Sequence, residues 1–150
     1  MNRYEEKARS LFLEGYNCAQ AVAAAFAEEI GMDERTAVAL ASPFGGGMGR
    51  MREVCGAVSA MWMVLGAREG YTDPRDHGAK KDLYATVQTL ATRFREENGS
   101  IICRELLGGN PSSTPNPSER TAAYYEKRPC ADMVALAAEI TEKYLAENPK

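Results

Sequence analysis

Four cysteines and one glycine-rich segment are the residues of this sequence whose types could support chemistry. The cysteines are spread along the chain as Cys18, Cys55, Cys103 and Cys130. Residues 44–50 read Phe-Gly-Gly-Gly-Met-Gly-Arg, and Cys55 follows them at the start of the most apolar stretch of the chain. Because the thiolate is both the nucleophile and the metal ligand, the environment that lowers each thiol pKa decides the chemistry.

Each cysteine falls in the first turn of a predicted helix. Their positions are Cys18 after the N-cap Asn17, Cys55 at the end of the glycine segment, Cys103 three residues after the expected cap Ser100, and Cys130 after Pro129. Unpaired backbone N–H groups and the positive end of the helix dipole favour an anion there. The opposing interpretation is inert packing, since free cysteine is among the most buried residue types.

The spacing of the cysteines excludes several familiar sites. No Cys-x-x-Cys is present, so neither a thioredoxin-type pair nor a zinc-ribbon knuckle is predicted, and no cysteine precedes a histidine as in haem attachment. Four thiolates from separate helices could still converge on a zinc ion or an iron–sulfur cluster. The metal alternative therefore assigns Cys18, Cys55, Cys103 and Cys130 as ligands.

The glycine segment is a second candidate for binding. A cofactor phosphate could be held by Gly45, Gly46, Gly47, Gly49 and Arg50. The segment lacks the Lys-Ser/Thr of a P-loop and no strand precedes it, so close approach of the backbone to a thiol or helix is favoured. Arg50 and Arg52 either hold Cys55 as a thiolate or are solvated. The single histidine, His77, is more typical of a surface or capping group than of a catalytic base.

Apolar periodicity predicts the elements that must position these groups. The pattern is that of an all-α single-domain bundle of about six helices, with a glycine-rich loop before the central apolar helix. No alternating strand pattern or internal repeat is present. The predicted domain spans residues 1–150, with helical segments near 3–14, 17–30, 33–41, 55–69, 76–98, 101–107 and 129–145, and an irregular loop at about 108–118.

Composition narrows the classes of function. The chain has 150 residues, of which 45% are hydrophobic, enough for one core without disulfides. Its net charge of -3 and its scattered basic residues give no nucleic-acid footprint. The apolar stretch of residues 54–67 is too short to cross a bilayer, and the N-terminus lacks the apolar core of a secretory signal. We expect a cytoplasmic protein, and the apolar faces of its short helices are compatible with a homodimer.

The Cys-Gly-Ala motif at residues 55–57, the apolar helix after it and the three single cysteines resemble the C_GCAxxG_C_C family of redox-active proteins. The likeness covers residues 4–145 and includes the Cys-Ala pair at Cys18 and the glycine segment of residues 44–50. One position departs from the motif, because Ala60 stands where the family has glycine. The resemblance implies redox activity. Some relatives join a similar module to haem-binding or iron–sulfur parts, which keeps the cluster alternative open.

These observations predict a thiol redox protein with Cys55 as its central thiol. Its expected partner is Cys18, because the two flank the helices around the glycine segment. As a thiol–disulfide oxidoreductase, one thiolate would attack a disulfide or another oxidised substrate and the second thiol would resolve the mixed species. Cys103 and Cys130 complete the candidate catalytic set. The rival classes are the metal or cluster protein and a helical interaction module, and the sequence identifies no redox partner.

Overall fold

The computed structural model describes residues 3–149, and the chain is all-α over that range. Met1, Asn2 and Lys150, which the predicted domain of residues 1–150 includes, lie outside the described residues. The eight helices between residues 3 and 149 are α1 (Arg3–Leu13), α2 (Cys18–Ala25), α3 (Glu34–Ala41), α4 (Gly56–Glu69), α5 (His77–Asn98), α6 (Cys103–Leu107), α7 (Ala122–Lys127) and α8 (Cys130–Glu147). A 3₁₀ turn at Ser42–Phe44 follows α3.

The all-α prediction is confirmed, and residues 3–149 form eight helices where about six were expected. Helix α7 lies just beyond the irregular segment predicted at 108–118, where the Thr121 hydroxyl accepts from the N–H of Tyr124 at 3.1 Å. None of the residues of this helix is buried, so its sequence shows no apolar periodicity from which the helix could be predicted. Helix α2 also ends earlier than predicted, at Ala25, because residues 26–31 form turns.

The start of α6 differs from the prediction as well. Ser100 is not its cap, since the Ser100 hydroxyl instead accepts from the N–H of Ile102 at 2.9 Å. Ile102 is extended and forms an isolated antiparallel bridge with Val54. The helix therefore begins at Cys103, two residues later than expected.

Helix α2 lies at the centre of the fold and packs against α1, α3, α4 and α8. Five of its eight residues are alanines, and all five are buried. Small side chains allow neighbouring backbones to approach closely, so one short helix can contact four others. This arrangement sets the first turn of α2 beside the first turn of α4.

Large apolar side chains fill the space around α2. The fully buried ones include Phe12 from α1, Phe26 after α2, Met61 and Leu65 from α4, Leu90 and Phe94 from α5, and Val134 from α8. The ring of Phe26 stacks on Tyr4 with the centroids 4.4 Å apart. Among residues 3–149, no helix combines the length and apolar character needed to cross a membrane.

Replacement of Phe26 by alanine tests this core. Phe26 is 0% exposed, and we expect the Phe26→Ala variant to lose about 3–5 kcal/mol of unfolding free energy through the cavity that it leaves. The control is Leu40→Ala, at a side chain 52% exposed, for which a change within about 0.5 kcal/mol is expected. Urea unfolding measures both, and equal losses in the two variants would contradict the packing described.

Candidate functional site

The starts of four helices meet at one cavity of about 290 Å³. Cys18, Cys103 and Cys130 are the first residues of α2, α6 and α8, and Cys55 is the N-cap residue of α4. All four side chains line the cavity, and none is in a disulfide. Cysteines far apart in the sequence are therefore collected at one end of the helix bundle.

Asn17 fixes the position of Cys18. Its Oδ1 accepts from the N–H of Gln20 at 2.9 Å, and the Gln20 side chain accepts from the N–H of Asn17 at 3.1 Å. This reciprocal cap starts α2 at Cys18. Asn17 also donates through Nδ2 to the carbonyl of Ser42 at 3.1 Å, which ties the start of α2 to the chain entering the glycine segment.

Two backbone hydrogen bonds hold Cys55 beside Cys103. The N–H of Cys55 donates to the carbonyl of Ile101 at 2.7 Å, and the N–H of Cys103 donates to the carbonyl of Glu53 at 2.6 Å. These bonds flank the bridge between Val54 and Ile102. The two cysteines thus enter the cavity from adjacent, hydrogen-bonded segments.

The glycine segment follows an unusual left-handed path. Residues 46–50 all have φ between 56° and 70°, and Arg52 has φ 61°. Glycine adopts this conformation freely, whereas a residue with a Cβ loses roughly 1–2 kcal/mol in it. Met48 therefore carries backbone strain, as do Arg50 and Arg52, which line the cavity, and the surrounding contacts must offset it.

Cys18 and Cys55 form a hydrogen-bonded pair in which the two thiols differ. The bond from Cys55 lowers the pKa of Cys18 to about 6, despite its burial, and backbone N–H groups of Gly46, Ala19 and Gly56 lower it further. The same interaction with Cys18, followed by burial, raises the pKa of Cys55 well above its usual value. The pKa directions therefore favour Cys18 as the thiolate and Cys55 as the thiol that donates to it.

Gly56 provides the space for this pair. A Cβ at position 56 would lie 2.6 Å from Cys18 Sγ and 2.7 Å from the carbonyl oxygen of Phe44. Only a residue without a side chain lets the backbone N–H of this turn approach the sulfur. Ala60, the residue that departs from the family motif, is 0% exposed within α4, so its methyl group is accommodated in the core.

Cys103 and Cys130 have different surroundings from the pair. Arg52 Nη1 donates to Cys103 Sγ at 3.6 Å. Burial raises the pKa of Cys103, while the hydrogen bond and the charge of Arg52 oppose that rise. Burial, with smaller effects from Cys18 and Cys103, raises the pKa of Cys130 to about 12. Both remain thiols at neutral pH.

Only some of the residues predicted to hold a cofactor phosphate line the cavity. Gly45, Gly46, Gly49 and Arg50 line the cavity. Gly47 does not line it, because a Cβ there would lie 2.5 Å from Cys103 Cβ, so its role is close packing of the segment against α6. Arg52 is buried and Arg50 is half-buried, and Arg52 contacts Cys103 rather than Cys55.

The metal alternative fits the structure poorly. Within residues 3–149, no group of three or more His, Cys, Asp or Glu side chains is placed to hold a metal ion. The Cys18 sulfur interacts with the Cys55 thiol through a hydrogen bond, whereas Cys103 faces the guanidinium of Arg52, so the four sulfurs are not arranged as a zinc or iron–sulfur ligand set. The single histidine, His77, is exposed at the start of α5 and is absent from the cavity lining.

Several cavity residues were not anticipated from the sequence. Arg120, Tyr124 and Arg128 come from α7 and its flanks, and Pro115 and Ser118 come from the loop between α6 and α7. Arg50 and Arg52 hold that loop through bonds to the carbonyls of Thr114 and Ser112, at 2.8 and 2.9 Å. The one available signal was the high proline and serine content of a segment long enough to cover a site.

The fold and the cavity define an all-α protein with paired thiols at helix N-termini. Comparison with family models identifies the family of the chain. Residues 16–144 match the model described as "Putative redox-active protein (C_GCAxxG_C_C)". The chain belongs to this family, and the resemblance noted from the sequence is confirmed. No curated protein and no solved structure matches the chain.

Two glycines of α4 test the geometry of the pair. The Gly56→Ala variant forces a Cβ against Cys18 Sγ, and we expect a loss of about 1–3 kcal/mol of unfolding free energy. It should also raise the pH midpoint of Cys18 alkylation. The matched control is Gly66→Ala in the same helix, where nothing lies within 4 Å of the added Cβ. That variant should be neutral or more stable by up to about 1 kcal/mol.

Urea unfolding and alkylation mapped by mass spectrometry give both readouts. Equal stability of the two variants, together with an unchanged pH midpoint of Cys18 alkylation, would show that the close approach of α4 to Cys18 Sγ does not depend on Gly56.

Proposed function

We propose that this protein carries out thiol–disulfide exchange with Cys18 as the attacking thiolate and Cys55 as the resolving thiol. The observation that carries the proposal is that Cys18 and Cys55 line one cavity, with the residue after Cys55 packed against Cys18 Sγ. Their interaction lowers the pKa of Cys18 to about 6 and raises that of Cys55. A thiolate at neutral pH beside a protonated partner is the state from which exchange starts. Membership in a family described as redox-active supports the same chemistry.

The reaction proceeds in two displacements. The Cys18 thiolate attacks one sulfur of a small disulfide, the S–S bond breaks, and one substrate thiolate leaves. Cys55 then gives its proton to the departed thiolate and attacks Cys18 Sγ, which breaks the mixed disulfide and releases the second half of the substrate as a thiolate that takes a proton from water. The substrate gains two electrons and becomes two thiols, and the protein gains the Cys18–Cys55 disulfide.

This proposal changes the role expected for Cys55. The sequence favours Cys55 as the central thiol, whereas the pKa directions favour Cys18 as the nucleophile. Cys18 is also the more accessible of the two, since it is half-buried while Cys55 is 6% exposed. An attacking sulfur must reach the substrate, but a resolving sulfur needs only to reach its partner.

Oxidation by a small disulfide tests the assignment. Reduced protein is mixed with 2-hydroxyethyl disulfide, quenched with an alkylating reagent and mapped by mass spectrometry. We expect a Cys18–Cys55 disulfide and two equivalents of released thiol. The Cys55→Ala variant should stop at a mixed disulfide on Cys18, and Cys18→Ala should form neither product.

The matched control is Cys130→Ala, which removes a cavity thiol that burial keeps protonated. It should form the Cys18–Cys55 disulfide as the wild type does. A product that links any other two cysteines, or a mixed disulfide on Cys55 in the Cys18→Ala variant at the wild-type rate, would overturn the assignment.

A further inference from the structure

Apart from the Cys18 thiolate, the charged side chains described at the cavity are all positive. Four arginines contribute to it, namely Arg50, Arg52, Arg120 and Arg128, and among residues 3–149 no Asp, Glu or Lys lines it. Arginine stays protonated in proteins, so each carries a full charge. The Cys18 thiolate offsets one of the four, which leaves an excess of positive charge in a protein whose net charge is -3.

The four arginines are not paired with carboxylates of the described chain. Among the described residues, none of the four arginines forms a salt bridge with a carboxylate. Arg120 instead donates to the carbonyls of Phe12 and Tyr16, at 3.1 and 3.0 Å. Its guanidinium lies over the Tyr124 ring at 4.9 Å from the centroid, and that of Arg128 lies over the same ring at 5.1 Å. Aromatic and carbonyl contacts hold the side chains in place without neutralising them.

Arg52 retains an unused donor in this setting. The residue is 4% exposed, its Nε donates to the carbonyl of Ser112 at 2.9 Å and its Nη1 to Cys103 Sγ at 3.6 Å. Its Nη2 is buried and has no hydrogen-bond partner. A buried charged donor without a partner is costly, and the cost disappears when an acceptor enters the cavity.

The strained backbone at Arg52 supports the same conclusion. Arg52 adopts φ 61°, a conformation unfavourable for a residue with a Cβ, and this places its side chain in the cavity. Strain of this kind persists where the surrounding structure holds it, and it is common at ligand sites. The neighbouring like charges of Arg52 and Arg128, after burial, lower the pKa of Arg50, which marks the cluster as mutually repulsive without an anion.

We propose that the substrate of the dithiol is a small disulfide that carries carboxylates, and that Arg52, with Arg50, Arg120 and Arg128 around it, binds the acid group. This inference rests on the proposed exchange reaction and names its substrate class. A guanidinium binds a carboxylate through two parallel N–H donors, so the acid group would orient the S–S bond toward Cys18. A cavity of about 290 Å³ has room for roughly ten water volumes, which suits a short-chain disulfide.

Three disulfides of similar length and different charge test the proposal. Dithiodiglycolate is anionic, 2-hydroxyethyl disulfide is neutral and cystamine is cationic. The rate at which each forms the Cys18–Cys55 disulfide is divided by its rate with a free small thiol, which removes differences in intrinsic reactivity. We expect the anionic substrate to exceed the neutral one by about tenfold or more, as a charged hydrogen bond allows, and the cationic one to be slowest.

Two variants test whether Arg52 is the source of the preference for the anionic disulfide. Arg52→Gln should remove most of the advantage of dithiodiglycolate over 2-hydroxyethyl disulfide. The control is Arg104→Gln, which makes the same change in net charge at an exposed residue paired with Glu53 and absent from the cavity lining. It should leave the ratio unchanged. Adipate, a dicarboxylate without an S–S bond, should slow the reaction of dithiodiglycolate with the wild-type protein, whereas adipamide, its uncharged analogue of the same length, should not slow it at the same ionic strength.

The outcomes separate the two proposals. Equal normalised rates for all three disulfides would overturn the carboxylate inference while leaving the exchange reaction standing. Failure of every disulfide to oxidise the Cys18–Cys55 pair would overturn the exchange reaction itself. The comparison of substrates and the adipate competition use the wild-type protein, so both remain decisive if Arg52→Gln fails to fold.

Discussion

The hydrogen bond from the Cys55 thiol to the Cys18 sulfur is the interaction on which this site depends. It is the largest cause of the lowered pKa of Cys18 and of the raised pKa of Cys55. The two cysteines thereby differ in protonation state at one pH, because the negative charge on Cys18 stabilises the proton that Cys55 keeps. The backbone N–H groups of Gly46, Ala19 and Gly56 then add to the stabilisation of the thiolate.

The surrounding fold brings these two sulfurs together. The alanines of α2 allow α4 to pack closely against it, and Gly56 lets the first turn of α4 reach Cys18 Sγ without a Cβ between them. The left-handed glycine segment passes back across this junction and delivers Arg52 to the cavity. Backbone strain in that segment and uncompensated positive charge in the cavity are both local costs, and the buried core elsewhere in the bundle supplies the stability that offsets them.

Much of the helical framework could be predicted from the sequence. Asp33 and Asp76 cap α3 and α5 through side-chain bonds, and Gly99 ends α5 in the left-handed conformation, because these residue types have strong local preferences. The first-turn position of Cys18 follows from the same kind of signal, since Asn17 caps α2, whereas Ser100 does not cap α6 and the starts of α4 and α8 have no side-chain cap. The cavity could not be predicted, since it depends on long-range packing of α2, α4, α6 and α8. Arg120 and Arg128 gave no signal, because their role depends on α7, a helix too short and too exposed to show a period.

Titration of the thiolate absorbance in anaerobic, reduced protein tests the central claim most directly. The account predicts one thiolate appearing with a midpoint near pH 6, absent in the Cys18→Ser variant and retained in Cys130→Ser. In Cys55→Ala the midpoint should move toward the ordinary cysteine value of about 8.5, and Cys55→Ser, which keeps a hydroxyl donor, should restore part of the shift. A wild-type protein with no thiolate below about pH 8, or a low midpoint that survives in Cys18→Ser, would contradict the account.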